Sequence, residues 1–269
     1  AMSGINVSID NTNGTINLST GAITTGGSSG NSSTNAINIA SDINATNNLN
    51  MYGYQAGSGK GIQISGATTT VSGKNVTLYG KSNSGNGVLL SAATLSGQYL
   101  NATGETTSGT AGFVWSGGNI NTTGATGTST ASVVKGISAA SGNTLGYGAF
   151  MMIANSATNA ANGTSLTFTG EATNLAAGVN TNERGILVQG GYTLAATGDI
   201  TFNGSSKSSE GIAFGGTINM GTVAGVTNKL TIKGTDASSS NGGWNALNFS
   251  GVINGNAATS SITCSQVMS

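Results

Sequence analysis

A glycine followed by a short alternating apolar strand recurs along this 269-residue chain. The phrase stands at Gly61-Ile62-Gln63-Ile64-Ser65, Gly87-Val88-Leu89-Leu90-Ser91 and Gly112-Phe113-Val114-Trp115-Ser116. It returns at Gly148-Ala149-Phe150-Met151, Gly185-Ile186-Leu187-Val188 and Gly211-Ile212-Ala213-Phe214. Weaker copies are Asn35-Ala36-Ile37-Asn38-Ile39 upstream and Asn245-Ala246-Leu247-Asn248-Phe249 downstream. The starts at 61, 87 and 112 are 26 and 25 residues apart, and 185 to 211 is 26 again. A fixed period of this length marks a repeat architecture and limits the fold more than any single motif does.

Each phrase is followed by a second and often a third short strand, separated by tight Gly/Ser turns and closed by a polar Ser/Thr/Gly loop. GILVQGGYTLAATGDITFNGSSKSSE shows the whole unit. Three strands in about 25 residues predict one coil of a parallel β-solenoid. One coil cannot bury its inward side chains, but stacked coils at ~4.8 Å form a continuous apolar column. Glycine at the corners permits the positive φ of sharp bends. The chain has no proline, as a rung with ladders on both sides requires. Asn, Ser and Thr at equivalent places can stack into hydrogen-bonded ladders. The reading is therefore an all-β, right-handed parallel β-helix of about 25 residues and three strands per coil. It predicts roughly ten or eleven coils and a monomeric rod on the order of 50 Å long.

Composition tests the alternatives. Gly, Ser, Thr and Asn make up 150 of the residues, which by itself suggests disorder. Disordered chains, however, combine low hydrophobicity with high net charge; here 36% of residues are hydrophobic and the net charge is zero. A β-sandwich would lack the longer repeated phrase, and a propeller would need a period of roughly 40–50 residues. Strong helix formers are scarce, and only Ser132–Ala140 could be locally helical. Seven Lys and one Arg cannot supply the basic surface that nucleic acid needs. With no histidine, mechanisms using one as base, ligand or pH switch are excluded.

The chain reads as a single β-helical segment over 1–269, with regular coils at 35–120 and 185–254 and irregular, expanded coils at 121–184. The steps from Gly112 to Gly148, Gly148 to Gly185 and Gly211 to Asn245 are 36, 37 and 34 residues. Such insertions leave a solenoid as flanking loops, and these often carry binding. The candidate loops are Thr122–Tyr147, Asn155–Gly163 with Thr173–Arg184, and Thr235–Trp244. They carry Lys135, Tyr147, Glu183, Arg184, Asp236 and Trp244. Of these, Tyr147, Arg184, Trp244 and Asp236 are the candidate receptor contacts, since Tyr, Trp and Arg anchor most interfaces. In GFVWS, Phe113 and Trp115 share one face, either as core or as an exposed aromatic step.

A search for chemistry returns little. The eight acids are Asp10, Asp42, Glu105, Glu171, Glu183, Asp199, Glu210 and Asp236. No two share a strand or short turn, although stacking could bring Glu171 near Asp199 or Glu210 near Asp236. A glycosidase pair is not expected from them. Gly57-Ser58-Gly59-Lys60-Gly61 lacks the first glycine and the hydroxyl residue of a phosphate loop. The Asn-x-Ser/Thr sequons, as at Asn75, Asn101 and Asn203, are no more than composition gives. Cys264 is alone, so neither a disulfide nor a thiolate cage is implied. No cofactor, metal or catalytic residue is predicted. No apolar run approaches the ~20 residues of a membrane-spanning helix.

The string GKGIQISGATTTVSGKNVTLYGKSNSGNGVLLSAATLSG resembles the repeats of filamentous-haemagglutinin-like two-partner-secretion exoproteins, which include adhesins and contact-dependent growth-inhibition toxin-delivery proteins. The likeness covers roughly 35–120 and 185–254, and the middle, about 122–184, departs from it. The resemblance implies a secreted filament at the bacterial outer surface. It also implies that this internal segment binds an outer-membrane or host-surface receptor, protein or glycan. A structural spacer and a tailspike-like carbohydrate-active solenoid are the alternative readings.

Overall fold

The computed structural model describes residues 9–11, 16–20, 33, 35–124, 132–140, 147–153, 159–174, 183–221, 228–236, 245–255 and 260–268. Among these the protein is all-β, and every strand pairing is parallel. The strands form one continuous hydrogen-bonded sheet whose register falls into three columns, the first, second and third sheets below. In the first sheet Ile37, Ile62, Val88, Phe113, Phe150, Ile186, Ile212 and Leu247 stand one above the next. In the second the sequence is Ile9, Ile43, Val71, Leu95, Ile120, Ala161, Ala196 and Met220. In the third it is Leu18, Met51, Leu78, Ala102, Val134, Phe168, Phe202, Ile232 and Cys264. The long strand Val88–Thr106 contributes a stretch to all three sheets.

Alternation of side chains explains the core. Inward residues of all three sheets form one apolar cluster, running from Ile37 to Ile232. Its large members stack level on level, Phe113 on Phe150 at 5.3 Å and Phe168 on Phe202 at 5.2 Å between ring centres, and the exposed Phe249 stacks on Phe214 at 4.9 Å. Phe113 and Trp115 are fully buried, so the aromatic pair of GFVWS is core. The Trp115 indole N–H is satisfied by the Gly117 carbonyl at 3.1 Å.

The phrase glycines serve close approach rather than an unusual φ. Gly53, Gly80, Gly104, Gly136, Gly170, Gly204 and Gly234 form a column in the third sheet. This column lies against Gly61, Gly87, Gly112, Gly185 and Gly211, where the first sheet begins. A Cβ on Gly87 would stand 2.6 Å from the Gly80 carbonyl oxygen, and one on Gly211 2.7 Å from that of Gly204. Positive φ is needed elsewhere, at the bend from the first sheet to the second, where Gly66, Ala92 and Gly117 follow one another.

The corner from the third sheet back to the first, where the glycines meet, is also held by buried hydroxyls. Ser82, Thr106, Ser138 and Ser206 occupy one register position and are 0% exposed. Ser82 Oγ donates to the Gly59 carbonyl at 2.6 Å and accepts the Gly85 N–H at 2.8 Å. Thr106 repeats this with Gly85 and Gly109, and Ser206 with Glu183 and Ser209. Each hydroxyl thus ties its own turn to the level below.

Two expectations change. Ser132–Ala140 is not helical, because Ser132–Ser138 is a strand in the third sheet between Val88–Thr106 and Asn159–Ala172. Alternation of Val134 inward with Val133 and Lys135 outward suits the pleat. The third sheet also has nine levels among the described residues, fewer than ten or eleven, because three of the steps along the first sheet are long.

Candidate functional site

Binding has to use the outward faces, and the three sheets present different ones. The second sheet carries a ladder of amides and hydroxyls: Ser72 to Asn44 at 2.6 Å, Asn162 to Asn121 at 2.8 Å, Thr197 to Asn162 at 2.5 Å and Asn254 to Asn219 at 2.8 Å. These side chains satisfy one another along the stack. The third sheet carries charge, with Lys81 on Glu105 at 2.5 Å and Lys135 on Glu171 at 2.7 Å.

The first sheet differs again. The column pointing away from the main core runs Gln63, Leu89, Val114, Met151, Leu187, Ala213 and Asn248, apolar through the middle five, of which Val114, Met151 and Ala213 are themselves buried. Val114, Met151 and Ala111 form a second small cluster against which Leu89, Tyr147, Ile153 and Leu187 pack. Beyond Leu187 the surface opens into a groove of about 290 Å³, lined by Arg184, Leu187, Gln189, Ala213, Asn248 and Ser250 among others.

Arg184 and Glu210 precede the phrase glycines of consecutive levels and therefore meet on this flank. The guanidinium Nε is 3.2 Å from a Glu210 oxygen but not aligned for a hydrogen bond, so the contact is an ion pair. Burial raises the Glu210 carboxyl, yet the Ser209 hydroxyl, its own backbone amide, Arg184 and Asn248 outweigh this and hold it below the usual range. Asn248 Nδ2 donates to Glu210 at 3.3 Å. The groove wall is thus a fixed, internally neutral Arg–Glu–Asn set.

Glu183 is different. It is 0% exposed, and among the described residues neither carboxylate oxygen has a partner in hydrogen-bonding geometry. Burial pushes its carboxyl up to about 7, with the Ser138 hydroxyl pulling the other way. It sits at the level where the corner-hydroxyl column has Ala172 instead of a hydroxyl.

Of the four sequence candidates, Tyr147 and Arg184 come together: both lie on the first sheet, where Tyr147 is level with Glu183 and Gly148 with Arg184. Neither is on a projecting loop. Asp236 ends a strand of the third sheet and is 7% exposed, in register with Ser206, so it does not project as an anchor. Trp244 lies outside the described residues, as does most of the three candidate loops. Gln189, Asn248 and Leu187 were not singled out from sequence; the register that sets them beside Arg184 depends on the length of the intervening turns. Three of the acids have structural partners: Glu171 pairs with Lys135, Glu210 with Arg184, and Asp199 accepts the Lys229 N–H at 3.2 Å.

Among the described residues no three potential ligands gather to hold a metal ion, and no helix is long and apolar enough to cross a membrane. Comparison with protein-family models, with curated proteins and with solved structures finds no match to this chain.

Proposed function

We propose that the chain is a receptor-binding segment of a large bacterial cell-surface exoprotein, built as a right-handed parallel β-helix with three strands per coil. Parallel pairing at steps of 25 and 26 residues around one apolar core supports the coil reading. The exoprotein reading rests on the repeat style of 35–120 and 185–254. The segment acts by binding, without catalysis or cofactor, at the surface of a host cell or a neighbouring bacterium. One observation carries the binding assignment: Arg184, the half-buried Leu187, Gln189 and Asn248 line a groove at the end of the outer apolar cluster on which Tyr147 packs. Apolar floor with a few fixed polar groups is the usual make-up of a recognition site.

The test is binding of the labelled protein to intact Gram-negative cells and to epithelial cells, followed by flow cytometry. Arg184→Ala and Leu187→Asp should each weaken binding about tenfold, on the order of 1.4 kcal/mol. Unchanged binding by both folded variants, or none by the parent protein, would leave the spacer reading. That reading draws its own support from the side-chain ladder of the second sheet, which ties level to level.

A further inference from the structure

The third sheet changes character along the stack, and its earliest complete levels are unlike the rest. Tyr52 and Tyr54 lie on Asn48–Gln55, Tyr79 on Thr70–Ser82 and Tyr99 on Val88–Thr106. Four of the chain's six tyrosines therefore sit on three neighbouring strands. They share one face. Leu49, Met51, Val76, Leu78, Leu100 and Ala102 alternate with them and point into the core, at 0–2% exposure. The tyrosines must point out.

Register turns this face into a grid. Tyr52 is directly beside Tyr79, Tyr54 beside Lys81, and Lys81 beside Glu105. Asn75 is beside Tyr99 and donates to the Asn48 amide oxygen; that bond is 2.7 Å. Thr77 and Asn101 fill the places between. These three levels present no aliphatic side chain outward. Tyr52 is 38% exposed.

The charges on the grid cancel within it. Glu105 takes the Lys81 ammonium at 2.5 Å on one oxygen and the Tyr79 hydroxyl at 2.6 Å on the other. Burial raises the Glu105 carboxyl, but Lys81 and then Tyr79 more than offset it and hold it below the usual range. The Tyr79 hydroxyl is pushed well above its ordinary value, by burial first and by Glu105 second. The ring is consequently a neutral, oriented donor to a fixed carboxylate.

We propose that this face is a binding platform for an uncharged oligosaccharide. It uses other residues than the groove beside Arg184. A tyrosine presents an apolar ring with a polar tip, which matches a sugar: the C–H faces of a pyranose pack on the ring, and its hydroxyls meet amides and hydroxyls at the edge. Neighbouring strands are ~4.8 Å apart and seven residues of strand span about 20 Å, giving room for several sugar rings in a row. Lys81 is committed to Glu105, and the other lysine on these strands, the exposed Lys74 next to Asn75, stands at the edge of the grid, so a phosphate or sulfate meets no unpaired cation among the tyrosines. The tyrosines could anchor a protein partner as well, but these levels offer no aliphatic side chain for the apolar centre that such an interface buries.

Titration calorimetry with three uncharged hexasaccharides tests it: β-linked glucose, β-linked N-acetylglucosamine and α-linked mannose, with a heparin hexasaccharide as the anionic contrast. At least one neutral ligand should bind with Kd between roughly 10 μM and 1 mM. Tyr52→Ala and Tyr54→Ala should each weaken it about tenfold, and Tyr79→Phe about threefold, by freeing Glu105. Arg184→Ala should leave it unchanged, which separates this platform from the groove. Unfolding temperature checks that the variants fold, and Tyr52→Trp, which keeps a ring at the exposed position, should retain binding. Three results would each overturn the proposal: no neutral hexasaccharide binding at 5 mM ligand (about five times the weakest expected Kd), binding of the heparin ligand alone, or equal affinity in the folded Tyr52→Ala, Tyr54→Ala double variant.

Discussion

Gly104 and Gly112 face each other across the corner between the third and first sheets so closely that a Cβ on Gly112 would stand 2.5 Å from the Gly104 carbonyl oxygen. The obstacle is backbone, which cannot rotate aside. Gly112→Ala should therefore destabilise the fold by about 3 kcal/mol or more, as overpacking against rigid neighbours does. Gly190→Ala is the matched control, since a Cβ there meets only the Gly215 oxygen at 3.9 Å. Denaturant unfolding of the two variants checks the contrast, and similar losses would disprove the close-approach account.

Ala92 is the one described non-glycine residue with positive φ, at 57°, in a column with Gly66 and Gly117. An L side chain in that region costs about 1–2 kcal/mol, while glycine gives back about 0.5–1 kcal/mol in unfolded-chain entropy. Ala92→Gly should then raise stability by up to about 1 kcal/mol. A lower melting temperature would show that the Ala92 methyl contributes packing that outweighs its strain.

Ser82 should be sensitive for a different reason. Replacing it with alanine leaves the Gly59 carbonyl and the Gly85 N–H without their partner. The expected loss is about 1–3 kcal/mol. Ser82→Thr, which keeps the hydroxyl as Thr106 does one level on, should recover most of it. Equal stability of the alanine variant and the parent would mean that water replaces the hydroxyl.

Glu183 predicts a pH dependence with a defined sign. Its folded carboxyl titrates at about 7, above the ordinary value of 4.5. Between those values the folded chain holds a proton that the unfolded chain has released, so stability falls as pH rises. The loss is absent below about 4.5, grows through the interval and is complete above about 7. Its size is on the order of 3 kcal/mol. Glu183→Gln should be more stable than the parent at pH 8 and no different at pH 4. Parallel stability–pH curves for the two proteins would refute it.

The apolar periodicity of the sequence carried the strand positions, the parallel stacking and the identity of the core. Ile62, Val88, Phe113, Ile186 and Ile212 do share one register position, as the repeated phrase predicts. The ladder of Asn, Ser and Thr was legible for the same reason, since equal spacing brings equal residues into line. The corner hydroxyls had a signal too: Ser82, Thr106 and Ser206 each stand three residues before the N–H they accept.

The site was much less legible. Tyr147 and Arg184 stand out by type, but their neighbours follow from register across steps of 36 and 37 residues, where the phrase gives no spacing. A slip of one residue there would exchange the inward and outward faces. Arg184 could as well have projected from a loop, and Asp236 could have been exposed. Composition and period determined that this chain stacks short strands around an apolar column, because inward positions must be apolar and corners must be small. Only the tertiary structure decided which side chains meet on each outward face, because those meetings join residues on separate levels through turns whose length no local rule sets.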